Sequence, residues 1–149
     1  MSKNKILFLC EGNSCRSQMA EGLFNHKNTK IRAYSGGLKP VGKINPHAIK
    51  VMDEIGINIS KQTSKGIPSD LSSFYIFVLC GCSQSCPNLK GLSFYNTYIE
   101  DPSIKIHDIE NYQIARKQIE TIIDDIIYCF NSCDIETELK NKFKMDKLL

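Results

Sequence analysis

The sequence predicts a single α/β domain built on a central parallel sheet of about four strands, with helices on both faces. Three observations predict it. The runs KILFLC (5–10) and YIFVLC (75–80) are short, continuous and apolar, as strands buried on both faces are. A helical period begins almost directly after the first run and recurs before and after the second. Strands alternating with helices favour parallel pairing through right-handed crossovers.

Taken in order, residues 5–10 form the first strand. Gly12, Asn13 and Ser14 then supply a tight loop. From Ser17 the pattern is helical, with Met19, Ala20, Leu23 and Phe24 on one face. Residues 31–34 suit a second strand, ended by Ser35-Gly36-Gly37. Asn45-Pro46 is a helix start, with Asn as N-cap and Pro at the first helical position. Ile49, Met52 and Ile55 line that helix and Gly56 stops it. The run 75–80 is a central strand, and 92–98 is a further one. Ile119, Ile122, Ile123, Ile126, Ile127 and Phe130 keep a helical period, so a helix spans about 110–131. Residues 134–149 are charged, with Leu139, Phe143 and Leu148 interspersed; they suit an added C-terminal helix or a frayed tail. The expected division is a domain over 1–133 and an extension over 134–149.

At 149 residues and 42% hydrophobic content the chain can bury an ordinary core without disulfides. Its net charge of +3 is small and dispersed, which gives no argument for nucleic acid. The first apolar run is too short for a signal peptide or membrane span, and no later run is long enough either. A cytoplasmic protein without membrane contact is expected. The seven cysteines are not spaced as in a secreted scaffold, so catalysis, redox chemistry or metal binding is the expected use of some of them.

The segment Cys10-Glu11-Gly12-Asn13-Ser14-Cys15-Arg16-Ser17 carries the chemistry. It lies between a strand and a helix, where backbone N–H groups and the helix N-terminus make a concave anion site. Residues 11–16 would bind the oxyanion, with Arg16 clamping it through two parallel hydrogen bonds. The same positive field favours the thiolate of Cys10, the expected nucleophile, and Ser17 can hydrogen-bond it. A cysteine ending a buried strand is alone more often core packing, and C-x5-R spacing alone is weak; the strand–loop–helix context and Ser17 together favour catalysis. For Cys15 a packing role is expected.

The string CEGNSCRSQMAE (10–21) resembles the low-molecular-weight tyrosine phosphatase superfamily, and within it the thiol-dependent arsenate reductases. The resemblance runs from about residue 5 to about residue 131 and includes Tyr34-Ser35-Gly36-Gly37, Asn45-Pro46, Ile59-Ser60 through Thr63-Ser64, and Glu100-Asp101-Pro102. The phosphatases usually have Pro after the Arg-Ser pair and Tyr after the Asp-Pro pair; here those positions are Gln18 and Ser103. A phosphatase does not need the cluster Cys80-Gly81-Cys82-Ser-Gln-Ser-Cys86-Pro87, whereas arsenate reduction needs two electrons from thiols.

The resemblance implies that Cys10 attacks arsenic, that Asp101 protonates the departing oxygen, and that Cys80 then attacks the Cys10 sulfur. A third cysteine resolves the disulfide. Both patterns known for that role are present, Cys82 in a Cys-Gly-Cys string and Cys86 further along the loop; Cys82 is slightly favoured. The first pattern goes with glutaredoxin and glutathione, the second with thioredoxin, so the electron donor stays open between them. No tightly bound cofactor is expected. Phosphate, near-isosteric with arsenate, is expected to compete for the loop.

Some reductases of this type bind potassium beside the loop, and Asn13, Glu21, Ser35 and Thr63 match that site. The Asp that follows the Thr-Ser pair there is Lys65 here, whose ammonium could replace the cation, or the site could be absent; no metal is expected. A soft-metal reading of Cys80, Cys82 and Cys86 lacks a nearby fourth ligand, since His107 is distant in sequence. Cys129 and Cys133, taken together on the last helix, read as packing or surface residues, and His47 as solvated. The alternatives to reduction are a tyrosine phosphatase whose cysteine cluster protects Cys10 by reversible oxidation, and a thiol-based sensor that binds without turnover.

Overall fold

The computed structural model describes residues 3–28, 30–81, 89–104 and 108–147. Its elements are β1 (Lys5–Cys10), α1 (Arg16–Lys27), β2 (Arg32–Gly37), α2 (Pro46–Asp53), β3 (Phe74–Val78), β4 (Ser93–Asn96), α3 (Ile109–Phe130), α4 (Ile135–Lys142) and β5 (Lys144–Lys147). The sheet order is β2-β1-β3-β4-β5. The first four are mutually parallel, and β5 runs antiparallel to β4. Every residue of β3 is buried, which explains its unbroken apolar sequence.

Side chains alternate across the sheet, and the two faces are covered differently. Ile6, Phe8, Phe77 and Tyr95 face one core cluster, completed by Met19, Leu23 and Phe24 of α1, Val51 and Met52 of α2, Ile119, Ile123 and Ile126 of α3, and Leu139 of α4. Leu7, Leu9, Ile76, Val78 and Phe94 face a second cluster, closed by Leu71 and Leu89 with Leu38, Ile67 and Leu92 at its margin. Helices on both faces were expected; the four described helices all contribute to the first cluster, and connecting segments line the second. The return from β2 to β3 explains this. It touches the outer edge of β2 through a Gly37–Gly66 bridge, then crosses the far face as extended chain carrying Ile67 and Leu71.

The expected cap of α2 forms, and α3 is capped as well. The Asn45 side chain accepts from the His47 N–H with Pro46 at the first helical position, and Asp108 caps α3 by accepting from the Glu110 N–H. Part of the C-terminal segment is the expected helix, capped by Asp134, which accepts from the N–H and hydroxyl of Thr137. The strand after it was not anticipated. KMDK (144–147) has no apolar alternation, and it pairs as a short, mostly exposed edge strand. Phe143 anchors it, its ring edge-on to Phe77 at 5.6 Å. Asp146 accepts a hydrogen bond from Asn96 of β4. No described helix is long and apolar enough to cross a membrane.

Candidate active site

The carboxyl ends of the parallel strands form the crevice where such sheets bind ligands. Cys10 is the last residue of β1, buried at 2% exposure. The loop after it is strapped from outside by residues 38–45. Cys10, Glu11, Gly12 and Ser14 offer their carbonyls to the N–H groups of Leu38, Lys39, Val41 and Asn45, at 2.8–3.3 Å. In a trans peptide the N–H points opposite to the C=O, so the next amides, of Glu11, Gly12, Asn13 and Cys15, point away from the strap. An open cleft of about 330 Å³ lies here, lined by the loop with Asp101 and Ser103 opposite and Lys39 and Val41 at its rim. Gly37 permits the close approach of β2, because a Cβ there would lie 2.8 Å from both the Asn13 nitrogen and the Glu11 oxygen.

Asn13 is the hub of the loop. It is fully buried, and among the described residues it is the non-glycine with a left-handed φ (46°), which asparagine tolerates better than most. The backbone N–H of Lys65 donates to Asn13 Oδ1 at 2.8 Å and Gln18 Nε2 donates to the same oxygen at 2.9 Å. These donors fix the amide's orientation, so Asn13 Nδ2 faces Ser17 and donates to its hydroxyl oxygen at 2.8 Å. That leaves the Ser17 proton free for the Cys10 sulfur, 2.8 Å away. A single relay therefore runs from Lys65 through Asn13 and Ser17 to Cys10.

Gln18, singled out in the sequence as a departure from the phosphatases, is a structural tie. It also donates to the carbonyls of Asn13 (3.1 Å) and Thr63 (2.8 Å), and accepts from Gln62 (2.8 Å). The amphipathic pattern of α1 marks only Met19, Ala20, Leu23 and Phe24 as core. The structure also buries Arg16, Ser17, Gln18 and Glu21, each with polar partners inside. Periodicity could not find them, because their burial comes from the loop and the 62–65 turn.

Arg16 is 6% exposed. Its Nη1 donates to the Ile99 carbonyl at 2.9 Å, and its Nη2 lies 3.6 Å from Asp101 Oδ2. The other oxygen, Asp101 Oδ1, accepts from both the N–H (2.9 Å) and the hydroxyl (2.7 Å) of Ser103. Arg16 and Asp101 thus form an ion pair in the lining of the cleft. Cys15 is buried at its floor, and burial pushes its thiol far up, with the charges of Cys10 and Asp101 adding to the shift. Cys15 is therefore a neutral packing group, as expected.

Cys80 lies just beyond β3, the strand beside β1, and it joins the same apolar cluster as Cys10. Among the described residues, Cys10, Cys15, Cys80, Cys129 and Cys133 form no disulfide with one another. Cys82, Cys86 and His107 lie outside the described residues. Cys129 and Cys133 do not share a helix as expected: α3 ends at Phe130, Cys129 is buried and Cys133 is exposed in the turn beyond. His47 is not simply solvated. Its ring stacks on Tyr112 at 4.8 Å, and the Tyr112 hydroxyl accepts from Asn45 Nδ2 at 3.2 Å.

Lys65 Nζ sits among the oxygens matched to the potassium site: 3.0 Å from the Thr63 carbonyl, 3.3 Å from Ser35 Oγ and 3.4 Å from Glu21 Oε1. The Ser35 hydroxyl donates to Glu21 Oε1 at 2.7 Å. Because the ammonium stands among these oxygens, they do not fit a potassium ion while Lys65 is in place.

The family model for "Low molecular weight phosphotyrosine protein phosphatase" matches residues 5–132. Among curated relatives, an arsenate reductase of Shouchella clausii is 48% identical over 91 residues, covering 58% of this chain and 65% of its own length. A glutaredoxin arsenate reductase of Synechocystis sp. is 35% identical, covering 83% of this chain and 95% of its own. The solved structure described as an arsenate reductase in the phosphate binding state superposes with a TM-score of 0.74 at 34% identity, over 84% of this chain and 97% of that one. The chain belongs to the low molecular weight phosphotyrosine protein phosphatase family.

Proposed function

We propose that this protein reduces arsenate to arsenite, with Cys10 as nucleophile and Cys80 as the first source of electrons. The observation that carries the proposal is the pairing of an oxyanion loop with a second buried cysteine on the adjacent strand end, in a chain whose relatives are arsenate reductases. Loop amides and Arg16 hold the tetrahedral anion. The Cys10 thiolate, steadied by Ser17, attacks arsenic and forms an S–As bond. The departing oxygen takes a proton from Asp101 and leaves as water. Cys80 as thiolate then attacks the Cys10 sulfur. An S–S bond forms, the S–As bond breaks, and its electron pair stays on arsenic, which leaves as arsenite.

Cys82 or Cys86 attacks the Cys10–Cys80 disulfide and regenerates Cys10. The final disulfide then passes to an external dithiol. Glutaredoxin with glutathione is one candidate donor, supported by the name of the Synechocystis relative; thioredoxin is the other. The same loop should bind phosphate as a competing anion. No metal enters the proposed chemistry.

The test is NADPH oxidation by purified protein with arsenate and either a thioredoxin or a glutaredoxin–glutathione system. Arsenate-dependent oxidation with one system supports the reading and names the donor. Absence with both, alongside rapid hydrolysis of an aryl phosphate, would establish a phosphatase instead.

A further inference from the structure

We propose that the Lys65 ammonium is a built-in monovalent cation that positions the oxyanion loop, so that the protein binds its anion independently of potassium and acquires potassium dependence when Lys65 is removed. The proposal rests on the reading of residues 10–17 as an oxyanion site. Its basis is a disagreement between the resemblance and the structure. Matching residues imply a potassium site, yet the lysine nitrogen lies within 3.0–3.4 Å of the Thr63 carbonyl, Ser35 Oγ and Glu21 Oε1.

Ammonium and potassium carry the same charge, and both prefer oxygen partners. Here the cation is tethered, so no ordering of a free ion is needed. Glu21 is the one carboxylate of the cage and its side chain is 11% exposed, so without a cation it would hold an uncompensated buried charge. Lys65 also reaches the loop by its backbone. The Lys65 N–H fixes Asn13 Oδ1, Asn13 holds Ser17, and Ser17 faces Cys10. Lys65 touches no reacting atom, so it is a positioning residue. Its ammonium holds segment 63–65 against α1 and β2, and that segment holds Asn13.

The experiment measures phosphate affinity through protection of Cys10 from alkylation, a readout that requires no reductase activity. Wild type, Lys65→Ala and Lys65→Arg are compared in tetramethylammonium chloride and in potassium chloride at equal ionic strength. Wild type should give the same phosphate affinity in both salts. Lys65→Ala keeps the backbone N–H but loses the ammonium; it should bind phosphate about tenfold more weakly in tetramethylammonium and recover with saturable dependence on potassium, a difference of about 1.4 kcal/mol. Lys65→Arg keeps the charge and should stay independent of potassium. Three results would overturn the proposal: wild-type affinity that rises with potassium, a Lys65→Ala protein as tight as wild type in both salts, or a loss in Lys65→Ala that potassium does not restore. If Lys65→Ala does not fold, Lys65→Met, which keeps the aliphatic stem and loses the charge, takes its place in the same comparison. Failure of phosphate to protect wild-type Cys10 in any salt would instead refute the oxyanion loop itself.

Discussion

Cys10 and Cys80 stand at the carboxyl ends of neighbouring parallel strands and share one apolar cluster, yet their places at the strand ends differ. Cys10 ends a hydrogen-bonded strand and faces a polar relay of Ser17, Asn13 and Lys65, with its loop strapped from outside by residues 38–45. Cys80 lies past the end of its strand, packed with Leu9, Val78 and Leu89 in an apolar cluster. The difference matches the two roles. A nucleophile must meet a tetrahedral anion in fixed geometry, which a directional network supplies. A thiol that passes on electrons must leave one partner for another, which a place beyond the last residue of β3 suits.

The largest expected effects come from removing either sulfur. Cys10→Ser should lower arsenate turnover by about 10³-fold or more, because the hydroxyl is a far weaker nucleophile at neutral pH. Cys80→Ser should be as inactive in steady turnover, yet keep phosphate-protected alkylation of Cys10; a Cys80→Ser protein that turns over would dissolve the proposed division of roles. Arg16→Lys replaces a planar fork by a point charge and should reduce kcat/KM by roughly 10²-fold, with the expressed protein still folded by circular dichroism.

Asn13→Ala is a milder probe of the polar side. It removes the hub between Lys65 and Ser17 and leaves their buried groups without it. We expect a stability loss of about 1–3 kcal/mol in denaturant unfolding and a slower Cys10 alkylation rate. Equal alkylation rates would mean that the relay does not govern the nucleophile.

The smallest effect separates the two cysteines of the loop itself. Cys15 is raised from the usual thiol value of 9.0 by burial first, and it stays protonated in the folded state where an unfolded thiol would ionise. The unfolded chain therefore binds fewer protons above about pH 9, and stability falls as pH rises there. Tyr95, pushed up to about 12 by burial, acts in the same direction. Unfolding free energies between pH 8 and 10.5 should decline, and Cys15→Ala should flatten part of the decline. In the same range iodoacetamide should modify Cys10 and spare Cys15 until the protein unfolds.

The sequence was most informative where one residue's chemistry sets its own neighbourhood. KILFLC and YIFVLC are buried on both sides, so they read as strands without knowledge of their partners. Asn45-Pro46 is a local cap, and α3 has a long period; both formed where expected. The loop was legible because strand, loop and helix are contiguous. Contacts between distant segments were not. Gln62 on Gln18, Lys65 on Asn13 and the strap from Lys39 to Asn45 depend on turns that periodicity does not encode. β5 was illegible for a related reason. Its pairing follows from the docking of Phe143 rather than from any strand pattern in KMDK.

The central claim is that a single chain supplies both the nucleophile and the electrons. Fully reduced protein, freed of external thiols, is mixed with excess arsenate; arsenite is quantified and disulfides are mapped by mass spectrometry. We expect about one arsenite per chain and one new disulfide, carried by Cys80 with Cys82 or Cys86 in wild type, and trapped as Cys10–Cys80 when both later cysteines are serine. Thiols that all stay reduced, with no arsenite formed, would contradict it.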